Sequence, residues 1–113
     1  MEASDKIAAV ERYIQAFADS DMDIIRDLYA DDAIVEDPVG SAPYVGMDAI
    51  LGFYEQSVPG PTTLELTGTV RCAGNSAAFP FNAVVGEMRI EIIDVFEFND
   101  AGKIQHMRAY WSM

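Results

Sequence analysis

One acidic residue in an otherwise apolar pattern constrains this chain more than any other feature. Within residues 88–99, Asp94 shares its parity with apolar residues alone: Met88, Ile90, Ile92, Phe96 and Phe98. A β-strand places every second side chain on one face, so Asp94 is predicted to face a packed core. An ionised carboxylate is costly there, and it usually becomes neutral through a raised pKa.

A neutral carboxylic acid in an apolar wall donates a hydrogen bond, so Asp94 indicates a site that stabilises a developing oxyanion. Two structural interpretations of Asp94 are also open. Its side chain is either hydrogen-bonded to the backbone, or turned outward by a β-bulge. Other parts of the sequence are needed to choose among the three.

The first half of the chain has the pattern of helices. Apolar residues recur at three- and four-residue steps, which predicts three helices and a short strand among them. Ser4 and Asp21 are the expected N-caps of the first two helices. The predicted helices cover residues 4–19, 21–29 and 46–57, and the short strand covers 33–37.

After Pro61 the pattern alternates, which predicts antiparallel strands joined by Gly- and Asn-containing turns. Pro80 argues for a bulge or an edge position in its strand. We therefore predict an α+β fold, with three N-terminal helices on a strongly curved, mainly antiparallel sheet that forms a conical pocket. The predicted strands cover residues 62–71, 77–85, 88–99 and 103–113.

Length and charge exclude several classes of protein. A chain of 113 residues predicts one domain, residues 1–113, with one core. Seven basic against 19 acidic residues give a net charge of −12, which disfavours nucleic acid and anionic membranes as partners. No apolar run is long enough to span a membrane, and the N-terminal pattern is not that of a signal peptide. Cys72 is the single cysteine, so a reducing cytoplasm is the expected compartment.

The residues available for chemistry are carboxylates and tyrosines. His106 is the only histidine, and phosphate-binding or dinucleotide motifs are absent, so neither a metal nor a cofactor is expected. Tyr13 lies beside the apolar stripe of the first helix, and Asp37 ends the short strand just before Pro38. With Asp94 they form one base and two neutral donors, the minimum set for moving a proton next to a carbonyl. Taken singly, Tyr13 is equally a core tyrosine and Asp37 a turn residue.

Six short stretches of the sequence resemble motifs of a known family. They are RYI at 12–14, YADDA at 29–33, VEDPVG at 35–40, FY at 53–54, IDVF at 93–96 and MRAYW at 107–111. The chain resembles, nearly end to end, the Δ5-3-ketosteroid isomerases of the NTF2-like (SnoaL-like, cystatin-like) fold group. Because this fold hosts many functions, the motifs carry more weight than the fold.

The resemblance implies an isomerase that needs no cofactor and acts on a small apolar ketone, a 3-oxo-Δ5-steroid. It implies that Asp37 is the general base, and that Tyr13 and a protonated Asp94 hold the oxyanion; this family is a well-known example of a carboxylic acid kept neutral at pH 7. It further implies that two tyrosines extend the hydrogen-bond chain behind Tyr13 and that four residues form the pocket wall. These are Tyr29 and Tyr54 for the chain, and Phe53, Phe81, Met107 and Trp111 for the wall.

The opposite face of the Asp94 strand predicts a partner surface. Ile93 and Val95 lie there, and the resemblance implies a homodimer formed through sheet faces. Two other functions remain open: a non-catalytic binder of apolar ligands, and another enzyme of this fold, such as a polyketide cyclase or an epoxide hydrolase. The hydrolase is expected to need an Asp–Arg–Asp arrangement, whereas Arg12 is adjacent to Tyr13 and points away from its face.

Overall fold

A computed structural model of the protein describes residues 1–112. Within these residues there are three helices and a sheet of seven strands, which confirms the predicted α+β class. Two helices come before the first strand in the chain, and the third lies between the second and third strands. The helices are α1 (Ala3–Ala18), α2 (Met22–Leu28) and α3 (Met47–Tyr54). The strands are β1 (Tyr29–Glu36), β2 (Tyr44–Val45), β3 (Thr62–Leu66), β4 (Arg71–Ala73), β5 (Ser76–Val85), β6 (Met88–Phe98) and β7 (Ile104–Tyr110).

The sheet is mixed and mainly antiparallel, as predicted. Its strand order is β2-β1-β7-β6-β5-β3, with β4 also paired to β5. β1 and β7 are parallel neighbours, while the other pairs in this order are antiparallel. The first and last strands of this order do not pair, so the curled sheet stays open and the helices cover one of its faces.

Alternation along the strands decides which side chains meet the helices. In β5, Ala77, Phe79 and Phe81 are buried while their neighbours are partly exposed. In β6, the predicted apolar parity is buried only from Asp94 onward, and Met88 is 52% exposed. β7 pairs with β6 only from Ile93 to Phe98, so the early part of β6 has β5 as its one neighbour and leaves its apolar side chains partly open.

Several local predictions were wrong. α1 begins at Ala3 with Glu2 as its N-cap, because the Asp5 carboxylate accepts from the Glu2 N–H at 2.9 Å; Ser4 lies inside the helix. The strand predicted over 62–71 divides into β3 and β4. The last predicted strand ends at Tyr110, so Trp111 follows it, and Met113 lies outside the described residues.

Pro80 occupies neither a bulge nor an edge strand, because the gap between β3 and β4 accommodates it. The Thr67 N–H donates to the Pro80 carbonyl at 3.0 Å, and in a strand the N and O atoms of one residue point to the same side. The missing N–H of Pro80 therefore faces the gap, where no ladder bond is lost. Gly68 lies against the proline ring, since a Cβ there would come 3.0 Å from Pro80 Cγ.

The capping of α2 agrees with prediction, as the Asp21 side chain accepts from the Asp23 N–H at 2.9 Å. A search of the described helices for a membrane-spanning candidate found none that is both long and apolar enough.

Candidate active site

Asp94 lies at the centre of β6, facing the helices. Its register partners are Phe79 on β5 and Ala109 on β7, and its residue surface is 1% exposed. Within the part of the chain that the structure describes, its Oδ1 atom has no hydrogen-bond partner. Burial, and secondly the charge of Asp37, raise the pKa of Asp94 well above its usual range. The regular pairing and the burial of Asp94 exclude the bulge that turns it outward, and the raised pKa favours the neutral form of its carboxyl.

Tyr13 reaches the same region from α1. Its ring packs edge-on against Phe17, Phe79 and Phe96, and its residue surface is 3% exposed. Burial is the main cause that raises the pKa of Tyr13 well above 10.0. The phenol therefore stays protonated and is a hydrogen-bond donor at any pH near neutrality.

A chain of three buried tyrosines ends at Tyr13. The hydroxyl of Tyr54, on α3, lies 3.1 Å from the hydroxyl of Tyr13 and 2.5 Å from that of Tyr29, at the start of β1. Each hydroxyl has one proton to donate. If Tyr13 donates into the cavity, it accepts from Tyr54, which in turn accepts from Tyr29. Such an ordered chain polarises each member and strengthens the terminal donor.

Asp37 follows the last residue of β1. Ala33 and Val35 have the same parity and are fully buried, so the alternation of β1 carries the Asp37 side chain toward the interior. Its Oδ1 accepts from the Trp111 indole N–H at 2.6 Å. Burial raises the pKa of Asp37, and the bond from Trp111 opposes that rise. Asp37 is therefore half-buried and hydrogen-bonded, unlike Asp94.

One cavity of about 100 Å³ unites these groups. Its size is of the order of cavities that hold a single six-membered ring, so the rest of a larger ligand lies outside the enclosed part. Apart from Asp37, Asp94, Ser57, Thr62 and the two tyrosines, the wall is apolar. The lining residues are Tyr13, Phe17, Asp37, Phe53, Tyr54, Ser57, Thr62, Leu64, Phe81, Ala83, Ile92 and Asp94.

The structure places the predicted wall residues unequally. Phe53 and Phe81 line the cavity, whereas Met107 is fully buried and does not line it, and Trp111 borders a larger groove that contains Pro38 and Ile90. Ser57 and Thr62, the two aliphatic hydroxyl residues of the lining, were not predicted from the sequence. They lie near the turn from α3 to β3, where periodicity carries no signal for a cavity.

The ionisable carboxyl groups that line the cavity are not balanced by any basic side chain of the described lining. Among the residues described as lining it, none is cationic. Arg12 lies on the surface and its Nη1 bonds the Asp27 carboxylate at 2.8 Å. The Asp–Arg–Asp arrangement expected of the hydrolase is therefore not built from Arg12. A search of the described residues for three or more clustered His, Cys, Asp or Glu found no group that could hold a metal ion.

Comparisons with known proteins identify a family and two similar proteins. The family profile of the SnoaL-like domain matches residues 10–107. A steroid Delta-isomerase of Nocardioides simplex is 39% identical over 109 residues, a match that covers 93% of this chain and 88% of that protein. Among solved structures, the epoxide hydrolase/cyclase-like enzyme SalBIII, studied for pyran ring formation in the polyether salinomycin, superposes with a TM-score of 0.88. It is 26% identical, and the match covers 99% of this chain and 94% of that one.

Proposed function

The chain belongs to the SnoaL-like family, and one of its relatives is a steroid Δ-isomerase. From this premise we propose that the chain is itself a steroid Δ-isomerase. It converts a 3-oxo-Δ5-steroid to the conjugated Δ4 enone, without a cofactor. One observation carries the proposal more than any other. Tyr13, Asp37 and Asp94 line a single apolar cavity, and Asp94 Oδ1 has no partner among residues 1–112.

Asp37 is the base of the proposed reaction. Its carboxylate takes a proton from C4 of the steroid; the C4–H electron pair forms a C3–C4 double bond, and the carbonyl π pair moves to the C3 oxygen. The same carboxyl then returns the proton at C6, where the C5–C6 π pair forms the new C–H bond; the C3–C4 pair becomes the C4–C5 double bond, and the oxyanion restores the carbonyl. The bond from Trp111 occupies one carboxylate oxygen at 2.6 Å, which orients the group and leaves the other oxygen free to carry the proton.

Tyr13 and Asp94 are the proposed donors to the C3 oxygen. Both are neutral and buried, so they hold the developing charge in a site from which water is largely excluded. Tyr54 and Tyr29 support Tyr13 through their hydrogen-bond chain. Because the two donors are fixed before the substrate arrives, little reorganisation accompanies the charge transfer.

The apolar wall binds the hydrocarbon part of the substrate. Phe53 and Phe81 contact the ring held in the cavity, whereas Met107 belongs to the hydrophobic core and not to the lining. Ile92 and Ala83 continue the wall toward the open part of the sheet, where the remaining rings lie. Neutral, apolar ketones suit a protein of charge −12 with an acidic site better than anionic ligands do.

The active form is proposed to be a cytoplasmic homodimer. Ile93 and Tyr110 are register partners on the outer sheet face, 49% and 48% exposed, and Val95 lies beside them. Such neighbouring exposed apolar side chains support a sheet-to-sheet contact between two copies. The single cysteine, Cys72, is free, which suits a reducing compartment.

The direct test is an absorbance assay for enone formation from 5-androstene-3,17-dione, with no additive and with a chelator present. We expect turnover in both conditions, and a loss of turnover in Asp37→Asn protein that still binds the steroid. A folded wild-type protein without activity, or one that needs an added metal, would contradict the proposal.

A second candidate function is a cyclase acting on an epoxide, and the structural likeness to SalBIII favours it. The same carboxylate and donors would activate a hydroxyl and polarise an epoxide oxygen. The two functions separate in one experiment, because a cyclase opens a hydroxy-epoxide substrate and leaves 5-androstene-3,17-dione unchanged.

A further inference from the structure

Four charged or titratable side chains meet on the outer face of the sheet, directly behind the candidate base. Glu36 on β1 accepts from His106 Nε2 at 2.6 Å and lies 3.5 Å from Arg108 Nε, both on β7. Arg108 also reaches Glu97 on β6 at 3.4 Å. The group therefore joins three neighbouring strands, and its side chains are only 21–38% exposed.

The contact between His106 and Arg108 fixes the tautomer of the histidine. Arg108 Nη2 lies 3.3 Å from His106 Nδ1. A guanidinium only donates hydrogen bonds, so Nδ1 must be the acceptor and has no proton. The remaining proton of a neutral imidazole is then on Nε2, where it is donated to Glu36. In this arrangement every polar contact of the imidazole ring has a defined direction.

Three contacts hold the segment around Asp37: two come from β7, and one comes from Trp111, which follows that strand. Glu36, the residue just before Asp37, is paired in register with Arg108. The Val39 N–H, two residues after Asp37, donates to the Ala109 carbonyl at 2.9 Å, and Trp111 donates to the Asp37 carboxylate itself. Any shift of Glu36 relative to β7 therefore moves the Asp37 carboxylate relative to the cavity.

We propose that Glu36, His106 and Arg108 are positioning residues, a clamp on the outer sheet face that locks the end of β1 onto β7 and so sets the place of Asp37. The inference rests on the proposed function, in which Asp37 is the base. A base displaced by about 1 Å loses much of its rate while the donors and the apolar wall continue to bind substrate. The clamp is thus expected to affect kcat far more than KM.

Three variants test the clamp. His106→Leu removes both contacts of the ring, whereas His106→Gln keeps a donor for Glu36 and an acceptor for Arg108. Gln105→Leu is the matched control, because Gln105 Nε2 makes a similar bond from β7 to Asp32 on β1, at 3.2 Å, and Asp32 lies five residues before the base. We expect His106→Leu to lose roughly 10-fold to 10²-fold in kcat with KM little changed, and the other two variants to stay near wild type.

Two NMR readouts do not depend on catalysis. Trp111 is the only tryptophan, so its indole N–H resonance reports the bond to Asp37 without ambiguity. It should move upfield in His106→Leu and remain in place in Gln105→Leu. His106 is likewise the only histidine, and its nitrogen shifts in the wild type should show a proton on Nε2 alone.

The outcomes separate the two proposals. A proton on Nδ1, an indole resonance unchanged in His106→Leu, or equal losses in His106→Leu and Gln105→Leu overturns the clamp. A wild-type protein with no isomerase activity removes only the proposed function, since the indole resonance still shows whether the clamp holds Asp37.

Discussion

The indole N–H of Trp111 lies 2.6 Å from Oδ1 of Asp37, so the candidate base is hydrogen-bonded by a residue just beyond the end of β7. This bond stabilises the ionised carboxylate and lowers the pKa of Asp37, against the rise that burial causes. Burial thus makes the carboxylate more basic, whereas the bond from Trp111 favours its ionised form.

The pH dependence of catalysis should change when this bond is removed. In Trp111→Phe the pKa of Asp37 rises further, because burial then acts without opposition. A base is active only when ionised, so the acid limb of kcat/KM against pH should move to higher pH in the variant. The profile is measured in parallel for both proteins. An acid limb at the same pH would mean that the bond does not reach the working carboxylate.

Loss of the base should abolish most of the turnover. Asp37→Asn keeps the shape of the side chain and the bond to Trp111 but cannot accept the proton. General-base loss costs about 10²–10⁴ in kcat, with ligand binding largely kept. Single-turnover rates and equilibrium binding of the product measure the two effects. Nearly normal turnover would make Asp37 a turn residue only.

The loss of activity should depend on how many hydrogen-bond donors to the oxyanion a substitution leaves. Tyr13→Phe removes one donor and should lose roughly 10²–10³ in kcat. Asp94→Asn keeps an N–H donor, so it should lose less activity than Asp94→Leu, which has none. If Asp94→Leu is as active as wild type, the second donor is not Asp94, and the ligand-binding interpretation returns.

Burial of neutral Asp94 should also appear in the stability of the protein. Its pKa is raised in the folded state, so its contribution is fully present below the unfolded pKa, near 3.8, and is lost as pH rises through the folded pKa. Within that window the free energy of unfolding should fall by about 1.4 kcal/mol per pH unit from this group alone. Asp94→Asn removes this slope, so the variant should gain stability relative to wild type as pH rises. Urea unfolding at several pH values measures the difference, and carboxyl infrared bands report the proton directly.

The proposed dimer predicts that one outer-face charge disrupts assembly. Ile93→Glu places a carboxylate on the exposed apolar patch and should yield monomers at micromolar concentration. Met88→Glu is the matched control, because Met88 is about as exposed but lies on the opposite face of the same strand. Sedimentation velocity distinguishes the forms. A monomeric wild type, or dissociation by both variants, would contradict a dimer built on this face.

Much of the fold was predictable because its signals are local. The helix periods, the Asp21 cap and the parity of Asp94 depend on residues a few positions apart, and the structure agrees with each. Even the orientation of Asp37 follows from Ala33 and Val35 by simple alternation. The break between β3 and β4 was not predictable in this way, since Pro80 and Gly68 explain it only once their strands lie side by side.

The relations that complete the site are set by register, which the sequence does not state. The bond from Trp111 to Asp37 joins residues 74 positions apart, and the one from His106 to Glu36 joins residues 70 apart. Both depend on the parallel pairing of β1 with β7. The resemblance to a known family named Trp111 as a wall residue, whereas the structure places its indole nitrogen on the base.

A neutral Asp94 also determines the charge balance of the cavity in the proposed reaction. Before proton abstraction the lining then carries one negative charge, on Asp37; afterwards Asp37 is neutral and the steroid oxygen carries that charge. The total stays at minus one throughout the cycle, and the charge only changes place between groups lining one small cavity. No counter-ion has to enter or leave, which suits a described lining without any cationic side chain. An ionised Asp94 would double the negative charge of the lining, and it would repel the negative charge that develops on the C3 oxygen.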